Sequence, residues 1–202
     1  MRGIYIDIET SGLDPFVHYP LEIGCVIVDL LSGEELGSYE SLLQISPQAW
    51  EQRDPESTRI NGLSFQQLAS GKTSQTVAHE LTSLLLSCEI SQKNAFFICQ
   101  NPSFDRPFFC KILSPYQQDQ RKWPYHWLDL ASMYWALQLV HKQITQPFSL
   151  NLSKDTIAEH LSLPPEAKPH RAINGVRHLL ACYEKLVGYP QKKMSDLPSS
   201  DL

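Results

Sequence analysis

Apolar and polar side chains alternate along Ile4-Tyr5-Ile6-Asp7-Ile8-Glu9, and strict alternation predicts a β-strand with two different faces. Ile4, Ile6 and Ile8 point one way, Tyr5, Asp7 and Glu9 the other. Thr10-Ser11-Gly12 then predicts a turn. An apolar run over Leu21–Leu30, a turn at Leu31-Ser32-Gly33-Glu34-Glu35 and a further run over Leu36–Ile45 extend this to a three-stranded antiparallel meander. Residues 46–64 are polar and turn-rich. Val77, Leu81, Leu84 and Leu85 recur at helical spacing within Thr76–Leu86. Ala95–Cys99 reads as a short buried strand. Phe104–Leu113, Leu128–Val140, Thr156–Leu161 and Ala172–Val187 read as helices. Strands first, then strands interleaved with helices, predict an α/β fold: a mixed sheet flanked by helices. Residues 1–187 form one domain in this reading, and 188–202, rich in Pro, Ser and Lys, a flexible C-terminal tail.

The first strand carries the chemistry. Two carboxylates on one face of a buried strand are costly unless paired or bound to metal. The turn at Thr10 leaves Asp7 and Glu9 at a sheet end, where hard oxygen ligands suit Mg²⁺ or Mn²⁺ better than Zn²⁺. An edge strand with solvated acids would account for the same letters.

Composition narrows the setting. A chain of 202 residues, 42% of them hydrophobic, can bury one good core. Residues 1–9 are a strand pattern rather than a signal peptide, and no apolar run is long enough to span a bilayer, so no membrane association is expected. Cys25, Cys88, Cys99, Cys110 and Cys182 are scattered and never form a C-x-x-C pair. They read as reduced core thiols of a cytoplasmic protein. A net charge of −5 argues against a protein that coats duplexes through many phosphate contacts. It leaves room for one that grips a few nucleotides, because bound divalent ions invert the local field.

Two downstream segments add candidates. Gln100-Asn101-Pro102-Ser103-Phe104-Asp105 follows the Ala95–Cys99 strand, which delivers it to a sheet end. Asp105 sits where a helix begins and gains there from the helix dipole. Phe104 is either core or a platform for a base. Pro169-His170-Arg171-Ala172-Ile173-Asn174-Gly175 opens the last long helix after a Pro-rich loop. A histidine at such an entry can reach over a reaction centre, and its pKa suits proton abstraction from water.

The order Asp-x-Glu-Thr-x-Gly-Leu at 7–13, Asn-x-x-Phe-Asp at 101–105 and His-x-Ala at 170–172 resembles the DEDDh superfamily of 3′–5′ exonucleases. That group includes the proofreading subunit of bacterial DNA polymerase, RNase T and oligoribonuclease. Leu21-Glu22-Ile23-Gly24, Arg59-Ile60-Asn61-Gly62-Leu63 and Trp127-Leu128-Asp129-Leu130 echo further elements. The resemblance covers the chain to about residue 187 and implies an RNase H-like fold. It also implies hydrolysis from the 3′ end of single-stranded DNA or RNA with two ions, Mg²⁺ or Mn²⁺. Carried over by position, it makes Asp7, Glu9 and Asp105 metal ligands and His170 the general base. Thr10, Ser11, Gly12, Leu13, Asn101 and Phe104 would hold the terminal nucleotide, with Asp129 supporting the site from behind. Gln100 stands where the family has a histidine.

The family's last acid falls on Gly175. In the resemblance that acid, with the Glu of the first motif, helps hold the metal carrying the attacking water, so the cluster drops from four carboxylates to three. Restoring it as Gly175→Asp should be tolerated, since Asp is no worse than Gly in a helix. Two readings follow: a working exonuclease, or a catalytically impaired relative that binds nucleic acid or a protein partner. A homodimer and a polymerase or repair partner are both left open.

Overall fold

The alternating segment Arg2–Thr10 (β1) becomes the middle strand of a five-stranded sheet in the computed structural model, which describes residues 1–140 and 151–192. β1 pairs antiparallel with Pro20–Asp29 (β2), and β2 with Glu35–Leu42 (β3), so the expected meander forms. On its other side β1 pairs parallel with Ala95–Cys99 (β4), which pairs parallel with Trp127–Asp129 (β5). The sheet order is β3-β2-β1-β4-β5.

Between β3 and β4 lie Pro47–Glu51 (α1), Pro55–Asn61 (α2), Phe65–Ala69 (α3) and Ser74–Ser87 (α4). The first two, and the cap residue Ser64 of the third, fall in the stretch 46–64 whose polarity read as turns. Ser46, Asp54 and Ser64 each cap one of these helices by accepting a backbone N–H. Each turn of helix buries too few apolar residues to leave a periodic signal. After β4 come Pro102–Ile112 (α5) and Pro115–Gln120 (α6); after β5 come Leu130–Val140 (α7), Lys154–His160 (α8) and Ala172–Leu186 (α9). The helix expected from Leu128 starts at Leu130 instead. The Asp129 carboxylate accepts the N–H groups of Ala131 and Ser132, and that cap frees 127–129 to pair with β4.

Both faces of the sheet are covered. Ile4, Ile6 and Ile8 pack against Val77, Leu81 and Leu85 of α4 and Phe108, Phe109 and Ile112 of α5. Tyr5, Val26 and Val28 meet Ile157 of α8 and Val176, Leu179 and Cys182 of α9. β2 is buried along almost its whole length, hence its mainly apolar sequence, interrupted by Glu22. The five cysteines are free thiols, four of them buried. Among the described residues no helix is long and apolar enough to cross a membrane.

The start of α9 docks on β2 through two residues. A Cβ at Gly24 would lie 2.5 Å from the Ala172 carbonyl carbon, so the approach needs glycine. Two positions earlier, the Glu22 carboxylate is buried, receives a bidentate pair from Arg171, and accepts the Ala172 N–H at 2.9 Å. A side-chain acid from the sheet thus caps the helix.

The first residues of the expected tail are packed. Tyr189 is buried against Tyr183, and the Gln191 N–H donates to the Leu31 carbonyl at 2.7 Å. Residues 193–202 lie outside the described residues.

Replacing Arg171 with Ala leaves Glu22 buried without its cation. We expect Arg171→Ala to lower the unfolding free energy by about 2–3 kcal/mol, less than a fully buried pair because Arg171 is partly exposed. Urea titration followed by circular dichroism measures it. Unchanged stability would mean that the Ala172 N–H alone satisfies Glu22.

Candidate active site

Pairing between β1 and β4 ends at Tyr5 and Ile98, so the last residues of β1 have an open edge on that side. Asp105, in the first turn of α5, fills it: its Oδ1 accepts the Ile8 N–H at 3.1 Å. The turn that brings it there has Asn101 at φ +58°, a left-handed conformation that asparagine tolerates. The Asn101 N–H donates to the Asp129 carboxylate at 2.9 Å. Asp129 therefore ties the β4–α5 turn to the start of α7.

Asp7 and Glu9 face the other way, towards α8 and α9. Here the segment before α8 is anchored by Gln100, whose Nε2 donates to the Leu152 carbonyl at 2.6 Å. Lys154, the first residue of α8, then places its Nζ 3.4 Å from Asp7 Oδ1 and 2.7 Å from Glu166 Oε2. It also donates to the Gly175 carbonyl at 3.4 Å. Glu166 comes from the loop between α8 and α9, where Asp155 accepts its N–H at 3.1 Å. Its Oε1 is buried, 3.4 Å from His170 Nδ1, and has no hydrogen-bond partner. The His170 N–H donates to the Ile60 carbonyl at the end of α2.

These groups line one cleft of about 310 Å³, with Phe104 and Asp105 on its opposite wall. Glu9, Glu166 and His170 each offer a ligand atom, all within 4.8 Å of one another. Burial raises the Asp7 carboxyl above the usual range, with the nearby Lys154 opposing and Glu166 reinforcing the shift. Burial first, then the Asp7, Glu166 and Glu22 charges, push Glu9 up to about 8. Asp105 is raised well above its ordinary value by burial and by Asp7. Burial works against the Lys154 charge, but the Asp7 and Glu166 carboxylates outweigh it and hold the ammonium protonated. The donors are mostly carboxylate oxygens, short of positive charge and partly unpaired, and they fit a divalent cation.

Of the residues singled out from the sequence, Asp7, Glu9, Asp105, His170 and Phe104 line the cleft together, with Gln100 beside them. Thr10, Ser11, Gly12 and Leu13 form the turn after β1, outside this wall. The Thr10 hydroxyl donates to the Gly12 carbonyl, Ser11 Oγ accepts the Tyr19 N–H, and Leu13 is exposed. Asn101 and Asp129 are also outside the wall and shape the turn behind it. Lys154 and Glu166 had been missed. For Glu166 a signal existed, an acid four residues before His170 in the Pro-rich loop; Lys154 had none.

Gly175 meets the site: a Cβ at 175 would lie 2.3 Å from Asp7 Oδ2, so besides helix propensity the cost of Gly175→Asp includes a shift of the Asp7 side chain beside a second negative charge.

The family model described as RNase T, exonuclease, matches residues 4–183. No curated protein sequence matches the chain. Among solved structures, E. coli exonuclease I in complex with a dT13 oligonucleotide superposes with a TM-score of 0.71 at 17% identity, over 94% of this chain and 41% of that one. A 3′-exonuclease that recognises the histone mRNA stem-loop gives 0.68 at 16%, over 94% and 65%. Cell-death related nuclease 4 gives 0.70 at 10%, over 92% and 63%. The chain thus spans less than two thirds of each of these proteins. A zinc-bound form of the E. coli enzyme with single-stranded DNA gives 0.68 at 17%, over 92% and 40%.

The raised Glu9 carboxyl sets a pH dependence. The fold holds its proton up to about 8, whereas the unfolded chain releases it near 4.5, so the folded state binds more protons in between. Stability from this group is complete below the unfolded value and is lost as pH rises through the folded one. In EDTA the melting temperature of the wild type should fall across that window, and that of Glu9→Gln should fall less. Parallel profiles for the two proteins would remove Glu9 as the cause.

Proposed function

This chain belongs to the RNase T exonuclease family, and we propose that it removes nucleotides one at a time from the 3′ end of single-stranded DNA or RNA. The observation that carries this reading is the convergence in one cleft of Asp7, Glu9, Asp105 and His170, drawn from three stretches far apart in sequence. The resemblance in sequence implies two cations at such a site.

Asp7, Glu9 and Asp105 would hold divalent metal, Mg²⁺ or Mn²⁺, which when bound polarises the scissile phosphate and stabilises the leaving oxygen. The chain's own groups do the rest. Glu166 Oε1 lies 3.4 Å from His170 Nδ1, and the imidazole, at the rim of the cleft, would accept a proton from water. The water oxygen bonds to phosphorus, the bond from phosphorus to the 3′-oxygen of the penultimate nucleotide breaks, and that oxygen takes a proton from solvent. The terminal nucleotide departs as its 5′-monophosphate. The Phe104 ring, supported by Phe108 at 5.2 Å between centroids, offers a face on which the terminal base can stack. Charge neutralisation by metal also reconciles an acidic cleft with a polyanionic substrate.

The test uses 5′-labelled single-stranded DNA and RNA with Mg²⁺ or Mn²⁺, products being resolved at single-nucleotide steps. A ladder shortening from the 3′ end is expected. His170→Ala should slow it about 10²–10⁴-fold while oligonucleotide binding stays intact. Equal rates in both proteins would rule His170 out as the base. Binding without a ladder under any ion would favour the impaired-relative reading, for which Gly175 and the Lys154 contact with Asp7 already speak.

A further inference from the structure

Position 175 has no carboxylate, yet besides Asp7, Glu9 and Asp105 the cleft is lined by Asp155 at the start of α8 and by Glu166, which reaches it from the loop before α9. Glu166 is 5% exposed, although a carboxylate is among the groups least often buried without a partner. One of its oxygens is taken by Lys154 at 2.7 Å, while the other has no hydrogen bond. Its position is built rather than accidental. Asp155, next to Lys154 on α8, accepts the Glu166 N–H, so the same helical turn fixes both the loop and the lysine.

Lys154 is the second half of the arrangement. Its ammonium touches Asp7 Oδ1, Glu166 Oε2 and the Gly175 carbonyl. Oxygens from three separate elements surround one positive charge, the environment a hard cation takes. The missing side chain at 175 is what allows it: Asp7 Oδ2 packs directly over the Gly175 Cα side, in space that any Cβ would occupy.

We propose that Glu166 supplies the acid absent from position 175 and that the Lys154 ammonium serves as a resident cation between Asp7 and Glu166, so that this site takes one divalent ion instead of two. The inference rests on the exonuclease reading of the cleft. Lys154 is then one of the two cations that a reacting phosphate would meet, with the divalent ion the other. Oxygens of Glu9 and Glu166, which lie within 4.8 Å of one another, are left for the single divalent ion, with Asp105 lining the same cleft. The lysine is tethered, so this charge neither dissociates nor is removed by chelators.

Isothermal titration with Mn²⁺, alone and with adenosine 5′-monophosphate, counts ions on the intact protein. Wild type should bind one ion per chain in both conditions. Lys154→Met should take up a second ion, and its melting temperature should rise more on adding Mn²⁺ than that of wild type. Glu166→Gln should weaken the single ion by at least about tenfold. Two ions on wild type would overturn the proposal even if the lysine variant failed to fold; so would one ion on Lys154→Met, or full affinity in Glu166→Gln. Hydrolysis of labelled single strands, followed in parallel, separates the two readings. Two bound ions with a 3′-end ladder would refute the resident cation and keep the exonuclease. One bound ion without a ladder would do the reverse.

Discussion

Carboxylates crowd the end of the central strand, and their mutual repulsion is the constraint around which this protein is arranged. Asp7 and Glu9 arrive on β1, Asp105 on α5 and Glu166 on the α8–α9 loop. Burial raises the first three above the ordinary carboxylate range. Lys154 meets Asp7 and Glu166 directly. Elsewhere the fold supplies partial compensation, as where the Ile8 N–H is donated to Asp105. Such a cluster costs stability unless a cation joins it. Without a cation to serve, this concentration of acid at the middle of a sheet has no structural use.

The supports of the cleft serve that constraint. Gln100, in the place where the family resemblance puts a histidine, holds the Leu152 carbonyl and so brings Lys154 inward. Asp129 holds the turn that sets Asp105 against β1. Glu22 and Gly24 of β2 let the start of α9 lie close to the sheet, which places Gly175 over Asp7 and His170 at the rim. Two contacts limit the reach of His170: its backbone N–H is bound to the Ile60 carbonyl, and the guanidinium of the adjacent Arg171 is held by Glu22. The histidine is therefore presented by rigid neighbours rather than by a free loop.

The family to which the chain belongs, and the fold it shares with exonucleases of low sequence identity, place the acid cluster in a chemical context. The distinctive part is local. Glycine stands at 175 against Asp7, and Lys154 and Glu166 approach from the adjacent α8 and its following loop.

Much of this was legible from the order of residues. The alternation in Ile4–Glu9 determined a strand with two acids on one face, and the flanking apolar runs determined its antiparallel neighbours. Local turn and helix-start chemistry put Asp105 and His170 at element ends, and the resemblance in motif order singled them out as site candidates. The short capped helices of 47–69 were not legible, since each buries too little to leave a period. Nor was the role of Lys154, 147 positions from Asp7, because an ion pair across such a distance depends on where two helices and a sheet bring their ends. The fate of position 175 was likewise decided only in three dimensions. The sequence determined that no acid stands there; only the tertiary structure shows that the Asp7 carboxylate lies 2.3 Å from where a Cβ at 175 would be.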